Sequence, residues 1–178
     1  MIVHSAFLDR IRQRRRLAAE DRRTARLAEL HHIRAVLGDA EGVIRAGWTQ
    51  KTLYACVHER DRRHPVDPRD GAFDEACLVG AVMHAAGGPE AAFGQLAQRT
   101  LDVVWHALYR GPDRPVGGCP PPGVRASRIL DLARWNDRRG RTRPEVLALL
   151  SAAAAVAETE TGRLRQATTA ASSMSLSR

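Results

Sequence analysis

The apolar positions near the start of the chain repeat at helical spacing. Leu30, Ile33, Leu37, Ala40 and Ile44 follow one another at alternating intervals of three and four residues. This spacing places the five side chains on one face of a helix. From about residue 7 to residue 36 the chain also lacks Gly and Pro and is rich in good helix formers. The pattern therefore predicts a long first helix whose later part packs on a core.

The same helical face changes character before residue 27. Counting back by sevens from the apolar stripe leads to arginines in place of apolar residues. Such a face is expected to extend past the core, so residues 1–26 are predicted to form a basic helical extension. The arginines expected on this face are Arg12, Arg15, Arg16, Arg22, Arg23 and Arg26.

Four further stretches are predicted as helices, at residues 67–86, 89–111, 126–135 and 143–157. Asp67-Pro68 is typical of a helix start, with an N-cap followed by proline at the first position. Thr142 and Glu145 form a capping box before the last apolar run. Residues 52–57 are compatible with a short strand.

Two segments are predicted to be irregular. Residues 111–124 contain five prolines and four glycines, and residues 158–178 are mostly Thr, Ser and Ala with no period. The predicted fold is therefore all-α. It is a single compact bundle of about five helices at residues 27–157, with the basic extension before it and a disordered tail after it.

The composition is that of one domain with a true core. The chain has 178 residues, of which 44% are hydrophobic, and no run approaches the roughly 20 apolar residues of a membrane span. The start lacks the apolar stretch of a secretory signal. Three scattered cysteines exclude a disulfide-built scaffold and favour a reducing compartment. We therefore expect a cytoplasmic protein with no membrane partner.

The charge is concentrated at the start of the chain. The net charge is +8, and residues 1–36 hold nine arginines and four acids, which gives +5. An arginine-lined helix can follow a nucleic-acid backbone independently of sequence, because it lacks aromatic residues for base stacking. It can equally pair with an acidic protein surface or be solvated. Arginine-rich composition can also reflect GC-rich codon usage, since Lys51 is the single lysine.

Three motifs carry a resemblance to known sequences. They are AEGVIRAGWTQ at 40–50, EACLVGAVMHAAGG at 75–88 and LARWNDRRGRTRPEVLALLSAAA at 132–154. In this order and spacing the chain resembles an uncharacterised family of small helical proteins from high-GC Gram-positive bacteria and their phages, over about residues 27–157. The resemblance implies a fold unit and no mechanism.

The candidate ligand site lies around the last motif. A tryptophan can stack on a ring, Asn and Asp can hydrogen-bond one, and Arg can pair with an anion. The alternative is a helix–helix corner in which the tryptophan packs and the polar residues cap turns. The candidate ligand-binding residues are Trp48, Trp135, Asn136, Asp137 and Arg141.

Other chemistry is not indicated by spacing. Cys56 and His58 lack the paired spacing of zinc ligands, and Cys77 falls on an apolar stripe. No nucleophile triad or phosphate loop can be assembled, so neither a catalytic residue nor a cofactor is predicted. We therefore expect a non-enzymatic binding or accessory protein. The alternative is an enzyme or small-ligand-binding domain with a pocket around the two tryptophans and the Asn-Asp pair.

Overall fold

The described part of the chain forms five α-helices and one small antiparallel sheet. The computed structural model describes residues 2–58, 62–69, 71–91 and 94–176, without the side chains of residues 2–9, 12, 89 and 168–176. The elements in chain order are α1 (Ile2–Ala46), β1 (Tyr54–His58), β2 (Arg62–Pro65), β3 (Glu75–Ala76), α2 (Leu78–Ala85), a short 3-10 turn (Pro89–Ala91), α3 (Gln95–Tyr109), α4 (Pro122–Asn136) and α5 (Arg143–Leu176).

Helices α1 and α5 run antiparallel and form the centre of the domain. Their direction follows from three cross-links: Arg34 pairs with Glu158, Ser151 Oγ donates to Glu41 at 2.8 Å, and the Arg143 guanidinium donates to the Arg45 carbonyl oxygen at 3.3 Å. The predicted apolar stripe of α1 is confirmed as core, because all five of its side chains are fully buried. They pack with apolar residues of α2, α3 and α5, among them Leu78, Val82, Val103, Val104, Val146, Leu150 and Ala153.

The expectation of an all-α protein is corrected by the sheet. β1 lies between β2 and β3, and both pairings are antiparallel. The β1–β2 hairpin places Cys56 opposite His64, and Ala55 pairs with Glu75 of β3. The short strand expected at 52–57 is confirmed in β1. Its partners escaped prediction because β2 is fully exposed and β3 has only two residues, so neither shows an apolar period.

The helix expected at 67–86 is wrong in its first half. Asp67 accepts the backbone N–H of Arg69 at 3.0 Å, which is a local turn and not a helix start. The chain then returns along β1, where the Asp74 N–H donates to the Ala55 carbonyl oxygen at 2.9 Å. Helix α2 begins only at Leu78, with Cys77 as its N-cap. Tertiary pairing with β1 therefore overrides the local Asp-Pro signal.

Two glycines permit the close contacts that hold this region together. A Cβ at Gly47 would lie 2.1 Å from the Asp74 carbonyl oxygen, and one at Gly80 would lie 2.4 Å from the Leu53 carbonyl oxygen. Real side chains cannot approach backbone so closely. These positions explain two of the glycines in the motifs AGWTQ and CLVGA.

Helices α3 and α4 differ from the prediction mainly at their starts. α3 begins at Gln95 after Gly94, and α4 begins at Pro122, within the proline-rich segment. Proline is favoured in the first turn of a helix, because the backbone N–H that it lacks would have no hydrogen-bond partner there. The irregular loop between the helices is confirmed. It is fixed to α3 by His106 Nε2, which lies 3.1 Å from the Arg114 carbonyl oxygen.

The disordered tail expected from residue 158 is corrected over residues 158–167, because these residues continue α5, whose range is Arg143–Leu176. Glu160 and Thr161 are buried, and the Arg163 guanidinium donates to the carbonyl oxygens of Pro112 and Asp113 at 3.0 and 2.8 Å. The proline-rich loop thus supplies partners for residues that show no apolar period. The exposed backbone carbonyls of a neighbouring loop cannot be read from the composition of the tail.

In the part of the chain that the structure describes, no helix combines the length and apolarity needed to cross a bilayer.

Candidate functional site

Asn136 is the centre of the Trp-Asn-Asp corner, and it is fully buried at the end of α4. Its Oδ1 accepts from Trp48 Nε1 at 2.9 Å and from the Leu78 N–H at 3.2 Å. Its Nδ2 donates to the Thr49 carbonyl oxygen at 3.3 Å and to Asp137 Oδ1 at 2.9 Å. An asparagine side chain has two acceptor and two donor positions. All four are used inside the protein, so none remains for a ligand.

The segment after α1 is attached to this corner by further polar contacts. Gln50 Nε2 donates to the carbonyl oxygens of Asn136 and Arg138 at 2.7 and 3.1 Å. The Lys51 N–H donates to Asp137 Oδ1 at 2.8 Å. Lys51 has a φ of 67°, a conformation that costs most non-glycine residues roughly 1–2 kcal/mol. The bond to Asp137 holds the backbone in that strained turn.

Trp135 and Arg141 form a separate pair beside Asn136. The guanidinium of Arg141 lies 3.9 Å from the centre of the Trp135 ring, and its Nε donates to the Trp135 carbonyl oxygen at 3.2 Å. Its Nη1 donates to Glu145 at 2.7 Å. Arg141 thus connects the end of α4 to the first turn of α5, and its charge is already paired.

The five candidate ligand-binding residues therefore meet as a packed corner. Trp48 lines a cavity of about 340 Å³ together with charged residues that include Arg63 and Glu75, and the other four candidates do not line it. Trp48, Asn136 and Asp137 are brought together by hydrogen bonds, whereas Trp135 and Arg141 lie beside them. The geometry supports the helix–helix corner and gives no support to a shared pocket, so ligand binding here stays a prediction.

One of the two hydrogen bonds of the predicted capping box is confirmed at the same corner. Glu145 accepts the backbone N–H and the hydroxyl of Thr142 at 2.8 and 2.9 Å. These hydrogen bonds from Thr142, with the charge of Arg141, lower the pKa of Glu145 below its ordinary value. Thr142 is a cap residue, as its position before α5 indicates.

The arginine face of α1 divides into an outer and an inner part. Arg15, Arg16 and Arg22 are exposed, as are their neighbours Arg10 and Arg14. Among the described residues, none of these five has an ion-pair partner. Arg23 and Arg26 are half-buried, so the expectation that the whole face extends beyond the core is wrong for them. The side chain of Arg12 lies outside the described residues.

The inner part borders a cleft between α1 and the start of α3. We call it the α1–α3 cleft; it has a volume of about 620 Å³ and is lined by Arg22, Arg26, Glu29, His32 and Gln95, among others. Glu29 pairs with Arg26 on one oxygen and with Arg99 Nε at 3.0 Å on the other. Burial raises the pKa of Glu29, but the two guanidiniums outweigh this effect and hold it below the ordinary 4.5.

A buried ion cluster behind the cleft was not predicted from the sequence. Asp102 is 4% exposed and accepts from Arg125 and Arg128 at 3.3 and 3.0 Å, while Arg99 lies at 3.5 Å. Arg128 also stacks on Trp105 at 4.3 Å. A signal was present, because Arg99 and Asp102 occur among the apolar residues of one helix. Only the fold shows that α1 and α4 supply their partners.

Metal-ion chemistry finds no support in the described part of the chain. No group of three His, Cys, Asp or Glu side chains there is arranged to hold a metal ion. Burial raises the pKa of the Cys77 thiol, which also accepts the Gly80 N–H at 3.4 Å as an N-cap. A protonated, capping thiol is a structural group and not a nucleophile.

The fold and its surface define a class of protein: a mainly helical domain with a small sheet, a structural polar corner and an arginine-lined helix. The chain belongs to DUF6197, a family of unknown function, whose model matches residues 28–156. That range agrees with the extent of the predicted resemblance. Neither a curated protein nor a solved structure matches the chain.

Proposed function

We propose that this chain is a non-enzymatic binding protein that holds a nucleic-acid backbone along the outer arginine face of α1. The observation that carries the proposal is the exposed row of Arg15, Arg16 and Arg22, which has no ion-pair partner among the described residues. At about 100° per residue these arginines lie within about 120° of one another. Guanidinium groups suit phosphates, because their planar fork can form two hydrogen bonds with one anion.

The length of the face agrees with this partner. Residues 10–22 are nearly all exposed and span about 20 Å of helix at 1.5 Å per residue. Phosphates repeat about every 3.4 Å along one strand, so the face can follow about six of them. Glu20 and Asp21 lie within the same stretch and reduce the number of productive contacts. The α1–α3 cleft continues the basic surface toward the domain through Arg22 and Arg26.

Two features of the cellular setting belong to the same proposal. The scattered cysteines favour a reducing cytoplasm, and the motifs resemble proteins of high-GC bacteria and their phages. In the cytoplasm of a bacterium, and equally in a cell that a phage has infected, an exposed arginine helix meets abundant nucleic acid. An acidic protein surface is the competing partner, and it is treated as an outcome of the test.

The test is fluorescence anisotropy of a labelled DNA duplex at 50 and 200 mM salt. We expect weak, sequence-independent binding that falls steeply with salt, because each neutralised phosphate contributes nearly one unit to the log–log slope. The variant Arg15→Gln/Arg16→Gln/Arg22→Gln should lower the slope by about 3 and keep the melting temperature, because glutamine has similar helix propensity.

The matched control removes the same charge elsewhere. Arg134, Arg138 and Arg139 are exposed at the end of α4, and replacing all three by glutamine should leave binding nearly unchanged. Equal loss in both triple variants would show that only the net charge matters. Failure of the intact protein to bind DNA at 50 mM salt would refute the proposal and leave an acidic protein as the partner to seek.

A further inference from the structure

A further cavity lies apart from both the corner and the arginine face. We call it the α2–α4 pocket; it has a volume of about 540 Å³ and lies between α2, α4 and the segments that flank the hairpin. Val79 and Met83 line it from α2, and Ile129 and Ala133 line it from α4. This volume is within the range of small-molecule sites, which are mostly apolar with a few polar groups. Its walls therefore suit an apolar molecular body.

Most polar groups at this pocket are already engaged. The Tyr54 hydroxyl donates to the Gly80 carbonyl oxygen at 3.0 Å, and the Thr52 hydroxyl donates to the Tyr54 carbonyl oxygen at 3.0 Å. Burial, with a smaller contribution from the nearby charge of Asp67, raises the pKa of Tyr54 to about 12. The phenol is thus a neutral donor that is committed to α2, and it does not select a ligand.

Two opposite charges at the pocket are not engaged with each other. Asp67 and Arg69 both line it, and no ion pair joins their side chains in the described part of the chain. Among the described residues, the Asp67 carboxylate accepts the backbone N–H of Arg69 alone, at 3.0 Å. The ion contact of Arg69 within the same residues is a distant one, 3.7 Å to Glu90, whose side chain is 91% exposed. Such an exposed contact contributes little, so both charges are available to a ligand.

We propose that the α2–α4 pocket binds a small zwitterion with an apolar body, of the chemical class of an apolar α-amino acid. The ammonium group pairs with the free oxygen of Asp67, the carboxylate pairs with the guanidinium of Arg69, and the apolar side chain enters between α2 and α4. The site shares no residue with the arginine face, so it is independent of nucleic-acid binding.

Calorimetric titration of the full chain tests this inference with three probes. L-Phenylalanine carries both charges, phenethylamine lacks the carboxylate, and 3-phenylpropionate lacks the ammonium. We expect L-phenylalanine to bind saturably, and each single-charge probe to bind about tenfold more weakly or worse, because each lacks one charge-assisted hydrogen bond.

Two conservative variants locate the binding. Asp67→Asn keeps the oxygen that accepts the Arg69 N–H and removes the charge, so it should weaken L-phenylalanine and phenethylamine about tenfold and leave 3-phenylpropionate unchanged. Arg69→Gln should weaken L-phenylalanine and 3-phenylpropionate and leave phenethylamine unchanged. Matched controls are Asp113→Asn and Arg165→Gln, which alter exposed residues away from the pocket.

Three results would overturn the inference: no binding of any probe at millimolar concentration, equal affinity for all three probes, or unchanged L-phenylalanine affinity in both charge variants. The melting temperature of each variant shows whether the fold is retained. Any of these results would leave the DNA-binding experiment unaffected, because that experiment depends on α1 alone.

Discussion

At the scale of single residues, Asn136 shows how a motif that predicts a ligand site also holds the fold together. It is the single asparagine of the chain, next to a tryptophan and an aspartate. The structure assigns its four hydrogen bonds to the turn after α1, the first residue of α2 and the neighbouring Asp137. One buried side chain therefore joins three segments that are far apart in sequence.

Replacement of Asn136 by alanine should destabilise the protein strongly. The variant leaves the Trp48 indole N–H, the Leu78 N–H and the Thr49 carbonyl oxygen without a partner, and unpaired buried groups cost about 1–3 kcal/mol each. We expect a loss of about 3 kcal/mol in the free energy of unfolding, measured by urea denaturation. Gln166→Ala, on the exposed face of α5, is the control. A loss no larger than that of the control would contradict the structural role.

At the scale of elements, α5 is longer than its apolar pattern. The apolar run that starts at Val146 ends near residue 157, and the helix then continues beside the loop that precedes α4. The Val116 N–H donates to Glu160 at 3.4 Å, and Arg163 donates to two loop carbonyl oxygens. The later part of α5 is thus stabilised by the loop and stabilises it in return.

Truncation of α5 separates these contributions. A chain that ends after Thr159 loses the contacts of Glu160 and Arg163, and we expect its free energy of unfolding to fall by about 2–3 kcal/mol, at about 1 kcal/mol per lost hydrogen bond. A chain that ends after Ala167 keeps those contacts and should melt near the temperature of the full chain. Thermal melts followed by circular dichroism measure both. Identical melting of the two truncated chains would restore the idea of a tail that does not dock.

At the scale of the whole molecule, charged side chains lie both on the surface and in the interior. The outer arginines of α1 are exposed, whereas Arg99, Arg125 and Arg128 meet around the buried Asp102. Glu29 of α1 joins this cluster through Arg99 and also pairs with Arg26 of its own helix. Three helices are therefore joined by ion pairs whose strength depends on the ionisation of two acids.

Glu29 should make the stability of the whole domain sensitive to acid. Its pKa is lowered in the folded chain, so it contributes stability above its unfolded pKa, near 4.5, and that contribution is lost as the pH falls through the folded pKa. Glu29→Gln should therefore be less stable than the parent at pH 7, and this difference in stability should shrink as the pH falls below 4.5, as measured by urea denaturation.

The control for this titration is Glu158→Gln. Glu158 pairs with Arg34 at the surface, where both side chains are about half exposed, so its removal should have little effect at either pH. His32 lines the same cleft as Glu29 and is unchanged in the parent, in Glu29→Gln and in Glu158→Gln. A constant difference between the parent and Glu29→Gln from pH 7 to pH 3 would exclude the proposed role of the Glu29 charge.

The sequence by itself determined the features that depend on local spacing. The stripe from Leu30 to Ile44, the capping box at Thr142 and Glu145, and the irregular proline-rich loop all follow from neighbours within a few residues. The family resemblance over the central domain was also readable from the motifs. In each case the physical cause, a helical period, a cap or a fixed φ, acts within one or two turns of the chain.

Only the tertiary structure decided the features that depend on distant partners. Helix α2 starts at Leu78 and not at the predicted residue 67, because the intervening chain pairs with β1. Helix α5 is longer than predicted, because a loop supplies carbonyl groups to Arg163. The structural role of Asn136 depends on four hydrogen bonds to other parts of the chain. Arg26 belongs to the domain and not to a separate extension, because it pairs with Glu29, which also pairs with Arg99. Hydrogen bonds and ion pairs between residues far apart in sequence leave no period to read, so they are known only once the chain is folded.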